Sequence, residues 1–293
     1  IVVITPNFYP ENFPINNIVE LLNVEYEVEV LTNLPSYRQN KFYKDYSFFG
    51  PFRETINGMN IFRVITFPRL SNKKIFILLH YLAYFISMVS YSSYYFFKNR
   101  KNINFILTYS LSPTFTALFG IIGSKITKAK HFNWVQDIWP ESIISSTNVK
   151  KNIFYNLIEI FQNFLFLKSE LIAQSEKMKI YFEKKYKKKI YQLNNIPRKI
   201  FEDTYISKNN INKKIKFSYF GNIGKAQRLD FFLEIFDKIK NKNIEVNIFG
   251  SGSEKKYLME KYKNNIFKWH GYKDESDLLF EYNKTNFFLL PIE

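Results

Sequence analysis

Short apolar runs alternate along the chain with longer stretches whose apolar positions recur at helical spacing. Runs at 1–5, 27–31, 61–66, 105–109, 131–135 and 171–174 read as strands, and helices fit between most of them. Such alternation predicts an α/β fold, a parallel sheet with helices on both faces. Ser112-Pro113 ahead of an apolar run reads as a helix N-cap followed by proline at the first helical position, and Ser175 as the cap of a later helix.

Between 194 and 214 the pattern dissolves into Asn, Lys and Pro197, and a second alternating series opens at 215. Strands are expected there at 215–220, 245–249, 266–270 and 287–290, with amphipathic stretches at 229–239, 254–263 and 275–282. The chain therefore reads as an N-terminal Rossmann-like domain over 1–200, a linker over 201–214 and a partial second Rossmann-like domain over 215–293. Gly221, Gly224, Gly250, Gly252 and Gly271 fall at or near strand ends of the second series. Glycine there lets backbone approach a ligand closely, although each one singly also fits a tight turn.

The segment 75–97 has no formal charge and enough length to span a membrane. Ser87, Ser90, Ser92 and Ser93 dilute it, and Lys73, Lys74, Lys98, Arg100 and Lys101 flank it. Basic flanks on both sides with aromatic residues throughout favour a helix at a membrane interface, or half-buried in the domain, over a true span that would sever the alternation around it.

Composition adds partners rather than fold. With 293 residues and 46% hydrophobic content the chain has material for two ordinary domains. Lys and Arg number 42 against 26 acids, a formal charge of +16 that favours anions: nucleic acid, phospholipid head groups or sugar phosphates. A Lys- and Asn-rich composition produces the same excess without selection, and the bases do not gather on a nucleic-acid-binding motif, so nucleic acid is not an expected partner. The basic run 177–189 faces lipid phosphates or is simply a solvated helix face. Absence of cysteine excludes disulfides and cysteine-ligated zinc and is compatible with the cytoplasm. His80, His131 and His270 lack metal-ligand spacing and read as structural or crevice-lining; no metal is expected. No signal peptide is visible. The chain opens on a strand already under way and stops abruptly after Leu289-Leu290-Pro291, so a piece is expected to be missing at each end.

Three stretches carry candidate chemistry. Gly221-Asn222-Ile223-Gly224-Lys225-Ala226-Gln227-Arg228 lies between a predicted strand and a predicted helix, an arrangement that aims backbone N–H groups and a helix N-terminus at one spot and suits a diphosphate. Lys225 and Arg228 add cations to offset a leaving nucleoside diphosphate. A Gly-x-x-Gly loop alone also reads as a turn; its place at the opening of a second Rossmann-like series favours the anion site. Gln136-Asp137-Ile138-Trp139-Pro140-Glu141 puts two acids and an indole just past a predicted strand, where open α/β sheets bind ligands and Trp faces stack on sugars, or else packs as an aromatic loop. Thr5 to Asn17 forms a proline-stiffened loop facing the same crevice without the Gly-x-Gly-x-x-Gly fingerprint. A general base for an acceptor hydroxyl is expected from Glu11 or Asp137, and the residues alone do not choose between them.

Phe8-Tyr9-Pro10-Glu11 with Ile15-Asn16, Glu27 to Thr32 followed by Leu34-Pro35-Ser36-Tyr37, Gln136 to Ser142, Ile172-Ala173-Gln174-Ser175 and Gly221 to Gln227 together resemble glycosyltransferase family 4, in the bacterial subgroup related to the fucosamine transferases of O-antigen and capsule assembly. They span almost the whole chain in order. The resemblance implies a GT-B fold, two Rossmann-like domains facing a cleft, the second incomplete here. It implies retaining transfer of a sugar, an N-acetylated amino sugar by analogy, from a nucleoside-diphosphate donor without metal or further cofactor. The acceptor implied is polyprenyl-diphosphate-linked or lipopolysaccharide, met by a peripheral enzyme on the anionic inner face of the cytoplasmic membrane. Gly221, Asn222, Gly224 and Lys225 would hold the donor diphosphate, Gly250 and Gly252 would approach the nucleotide, and Trp269, Gly271 and Tyr272 would border its base. Asn16, Asn17, Trp139 and Glu141 would belong to the acceptor side.

The chain departs from this pattern at three points. It has Phe13-Pro14-Ile15-Asn16-Asn17 where the subgroup has Phe-Arg-Ile-Asn-Asp, and Arg228 where glycine is usual, so a phosphate contact by Arg228 is read from the residue itself. It also stops before the Glu-bearing loop expected to grip donor sugar and ribose. The alternatives are accordingly a non-catalytic nucleotide-sugar-binding remnant and, behind it, an integral membrane protein using 75–97.

Overall fold

The computed structural model describes residues 1–37, 41–68, 70, 74–141, 152–196, 214–239, 243–273 and 275–291. The chain divides into two compact units whose described parts are 1–141 with 152–196, and 214–291. The stretch expected as a linker lies outside the described residues except for Lys214.

In the first unit β1 (Val2–Ile4), β2 (Glu29–Asn33), β3 (Arg53–Ile56), β4 (Met59–Val64), β5 (Phe105–Ser110), β6 (Lys130–Val135), β7 (Glu170–Ala173) and β8 (Tyr191–Gln192) form an eight-stranded sheet in the order β3-β4-β2-β1-β5-β6-β7-β8. Every neighbouring pair is parallel except β3 with β4. The connecting helices are α1 (Pro14–Glu25), α2 (Lys74–Lys98), α3 (Thr116–Thr127), α4 (Ile153–Leu167) and α5 (Glu176–Tyr186). The period of two in β1 explains its unbroken apolar run: Val2 and Ile4 pack with Met88, Phe96 and Phe119 of α2 and α3, while Val3 packs with Ile15 and Val19 of α1 on the opposite face. Under α4 and α5, Val135, Leu165, Phe166, Leu171 and Phe182 form a third cluster.

The second unit runs β9 (Ile215–Phe220), α6 (Leu229–Asp237), β10 (Ile244–Phe249), α7 (Lys255–Lys261), β11 (Phe267–Gly271), α8 (Glu275–Asn283) and β12 (Phe287–Phe288), with a parallel sheet ordered β11-β10-β9-β12. Tyr219, Leu233, Val246, Ile248 and Leu258 are central to its core.

Several expectations are corrected. β4 begins and ends two residues earlier than read, because Asn57 and Gly58, at φ 51° and 77°, close a two-residue hairpin onto the unpredicted β3. Ser112 caps no helix: its N–H donates to Asp137, and α3 starts only at Thr116 behind Phe115. Ser175 does cap α5, its hydroxyl accepting from the Met178 N–H. The segment around 75–97 is one helix, α2, with two characters. Tyr84, Met88, Tyr95 and Phe96 are buried in the core, whereas Leu78, Leu82, Ile86 and Phe97 are each about half exposed or more.

His131 illustrates how a polar residue is held inside this sheet. Its Nε2 lies 2.9 Å from the Thr108 hydroxyl, and burial, with Lys188 nearby, holds its pKa down to about 3. The unfolded chain, with the ordinary value of 6.5, therefore binds a proton that the folded chain refuses. The sign follows: stability is lost on acidification below pH 6.5, by about 2 kcal/mol between pH 7 and 5 for this group. Urea unfolding at the two pH values should show a pH dependence smaller by about that amount in His131→Gln; an unchanged dependence would refute the assignment.

Candidate functional site

In the first unit the chain leaves β1 toward β2 on one side and returns to β5 on the other, so β1 and β5 flank the topological switch point of the sheet. Loops diverge there past the strand carboxyl ends, which is where open α/β sheets form binding crevices. A cavity of about 240 Å³ occupies this place. The β1–α1 loop contributes Asn7 and Phe13, the segment after β2 Ser36 and Tyr37, α2 His80, Tyr81 and Tyr84, the β5–α3 loop Ser112 and Phe115, the start of α3 Thr116, and the segment after β6 Asp137. Asp137 is the single carboxylate among the described residues of this lining. One of its oxygens accepts the Ser112 N–H at 3.0 Å, which fixes the side chain against the β5–α3 loop. Of the three histidines, His80 lines the cavity, its Nδ1 2.6 Å from the Phe67 carbonyl.

Glu11, the other candidate base, is 1% exposed and is not among the residues that line the cavity. Its Oε1 accepts the N–H groups of Ser36 (2.7 Å) and Tyr37 (2.6 Å), and Oε2 accepts from the Asn7 amide. Burial pushes its carboxyl pKa up, against the pull of these donors and of Arg63. Glu11 thereby fastens the β1–α1 loop to the segment after β2. Arg63, not foreseen from the sequence, is buried behind it and bonds Glu54, the Asn33 carbonyl and the Tyr9 carbonyl.

The four residues expected on the acceptor side do not line this cavity. Asn16 is buried and donates to the Glu11 carbonyl, and Asn17 reaches the Ile196 carbonyl. Glu141 turns toward α5, where it accepts from the Tyr181 hydroxyl (2.8 Å) and Lys185 (3.2 Å), contacts that lower its pKa despite partial burial. Trp139 is half-buried beside it in the chain. Pro14, which replaces the usual Arg, opens α1, a position where its missing N–H costs nothing.

In the second unit the glycine loop is anchored differently from expectation. The N–H of Gly221 donates to the Phe249 carbonyl and that of Ile223 to Ser251, so the Gly221 N–H is engaged within the unit. Gly250 (φ +137°) and Gly252 serve this packing: a Cβ on the first would meet the Gly221 carbonyl oxygen at 1.8 Å and on the second the Ile223 oxygen at 2.2 Å. They bring one backbone against another within the unit. Trp269 is partly buried and packs on the core cluster of this unit, while Tyr272 is exposed beyond Gly271 at the end of β11. Asn222, Lys225 and Arg228 are exposed; the Asn222 amide bonds Gln227 across Gly224.

The helix does not follow the loop directly. A 3₁₀ turn, Lys225–Gln227, comes first, and Arg228 sits at φ +46° before α6 begins. This left-handed conformation is the physical reason glycine suits the position. Arg228→Gly should gain roughly 1 kcal/mol in thermal unfolding, since relief of the left-handed conformation outweighs an exposed ion pair with Asp230 at 3.5 Å. A loss of stability would show that the pair dominates.

Two α/β units, the first on a sheet parallel but for its β3 edge and the second on a parallel sheet, give the chain the GT-B fold. No family model and no curated protein matches the chain. Among solved structures it is similar to the lipopolysaccharide outer core galactosyltransferase WaaB, at 14% identity and TM-score 0.57 over 99% of this chain and 73% of that one. It is also similar to Anabaena HepE in complex with UDP (10% identity, TM-score 0.55, 93% and 69% covered) and to the catalytic domain of starch synthase IV from Arabidopsis thaliana bound to ADP and acarbose (9% identity, TM-score 0.62, 99% and 78% covered). The structural neighbours are glycosyltransferases, and at these identities the likeness is one of fold. Among the described residues no three His, Asp or Glu side chains gather as a metal site.

Proposed function

We propose that the protein is a glycosyltransferase that takes a sugar from a nucleoside diphosphate and passes it to a lipid-linked, lipopolysaccharide or capsule glycan. The observation that carries this reading is the cavity at the switch point of a GT-B N-terminal unit, walled by aromatic rings and hydroxyls and holding one carboxylate. Asp137 is its general base toward the acceptor hydroxyl, and Glu11 and Arg63 hold the walls. Lys225 and Arg228, with the Asn222 and Gly224 backbone, stabilise the departing diphosphate, and Tyr272 with Gly271 borders the base. The bound UDP of HepE supports a nucleotide-sugar donor. Retention of configuration, a hexosyl-type donor with an N-acetylated amino sugar, family 4 membership and independence of metal follow from the sequence resemblance.

A membrane acceptor is supported by α2, which presents His80, Tyr81 and Tyr84 to the cavity and Leu78, Leu79 and Leu82 to the outside. One helix thus joins the acceptor site to an apolar surface, as a peripheral enzyme on the inner face of the cytoplasmic membrane requires. Incubation with bacterial membranes and a panel of labelled UDP-, GDP- and ADP-sugars should put label into a lipid-extractable product, with or without chelator. Folded protein that transfers from no donor in the panel would overturn the reading.

A further inference from the structure

We infer that α4 is a second membrane-docking helix, and that its outward face together with that of α2 seats the first unit on an anionic lipid bilayer. The inference rests on the reading of α2 as an interfacial helix and extends it to an element with no part in the cavity. α4 buries Tyr155, Gln162, Leu165 and Phe166. Its opposite face shows Phe154, Leu157, Ile160, Phe164 and Leu167, each between 46% and 71% exposed and three or four residues from the next along one stripe, with Ile153 (70%) exposed beside them.

α2 and α4 both pack against α3, through Phe96 and Phe119 on one side and through Ala117, Ile121 and Leu165 on the other. The strand residues beneath them share a sheet face, because β5 and β6 pair Ile106 with His131 and Ser110 with Val135. The two apolar stripes therefore belong to one helical layer of the unit. Soluble monomers rarely expose contiguous apolar patches beyond a few hundred Å².

Charge selects the occupant. α2 contains no acid, and the one acid of α4, Glu159, is paired with Lys185 of α5 at 3.3 Å. Lys98 at the end of α2, Arg100 and Lys101 after it, Lys125 on α3 and Lys168 after α4 are all exposed. A second copy of this chain would oppose cation to cation across the interface with no acid on either helix left to answer. A bilayer containing anionic lipid supplies both hydrocarbon for the stripes and negative head groups for the cations.

Vesicle sedimentation of the whole protein tests this. Wild type should bind phosphatidylglycerol-rich vesicles more strongly than pure phosphatidylcholine vesicles, and Ile160→Glu/Phe164→Glu on α4 and Leu78→Glu/Leu82→Glu on α2 should each weaken binding by about tenfold or more. Ile160→Trp provides a readout independent of charge, its emission shifting to the blue when vesicles are added. Binding by the α4 variant equal to wild type, with loss only in the α2 variant, overturns the role of α4 and leaves the interfacial reading of α2 standing. Wild type that ignores both kinds of vesicle overturns both. A dimer that the α4 variant dissociates without change in vesicle binding assigns the face to self-association and overturns the inference as well. Absence of sugar transfer alongside normal vesicle binding falls on the proposed activity alone.

Discussion

Gly250→Ala should abolish the cooperative unfolding transition of the second unit, or lower its stability by roughly 3–6 kcal/mol. Two costs add. The backbone at φ +137° lies in a region that residues with a side chain scarcely enter, and the added methyl would overlap the Gly221 carbonyl oxygen at 1.8 Å. Neither can relax alone, because the Gly221 N–H is tied to Phe249 and the Gly250 N–H to Gly271. Gly271→Ala is the control: its φ is +76°, but the nearest atom to the new methyl is the end of the Lys255 side chain at 3.5 Å, so only the conformational cost of about 1–2 kcal/mol applies. Circular dichroism melts of the two variants should separate widely. Equal losses would mean that backbone conformation, and not the packing of the two loops, makes glycine necessary at 250.

These glycines also mark where the sequence stopped being informative. Their place at strand ends was readable, since strands buried on both faces are unbroken apolar runs, and the chain order of such runs foretold two sheets of parallel strands, to which the first unit adds one antiparallel edge, β3. Whether a glycine approaches a ligand or another loop depends on the partner 29 positions away, Gly221 for Gly250 and Ile223 for Gly252, which no local pattern encodes. β3 escaped because Arg53-Glu54-Thr55-Ile56 is an edge strand with alternating exposure, although Asn57-Gly58 after it is a strong hairpin signal. In the cavity, Asp137 was legible as an acid just past a strand. Tyr81 and Tyr84 were not, because helical periodicity says which residues share a face and not what that face meets. Arg63 sits in a strand read only as apolar, and its charge is tolerable there because Glu54 and two carbonyls surround it.

The same distinction between position and partner separates the two candidate bases by experiment. Asp137→Asn keeps the size of the side chain and an oxygen able to accept the Ser112 N–H, so the β5–α3 loop and the thermal stability should be nearly unchanged. It removes the only carboxylate among the described residues of the cavity lining, and with it the proposed base for the acceptor hydroxyl, so kcat should fall by about 10²–10⁴-fold. Glu11→Ala should do the reverse in order of cause. Removing that carboxylate leaves the Ser36 and Tyr37 N–H groups without their acceptor, at about 1–3 kcal/mol for each that stays buried, and the melting temperature should drop before any effect on chemistry is considered. Residual activity of Glu11→Ala, measured below its melting transition, should keep the pH profile of the wild type, since the proton acceptor is still present. Full turnover by Asp137→Asn would remove Asp137 from the mechanism and leave the cavity as a binding site whose base lies elsewhere.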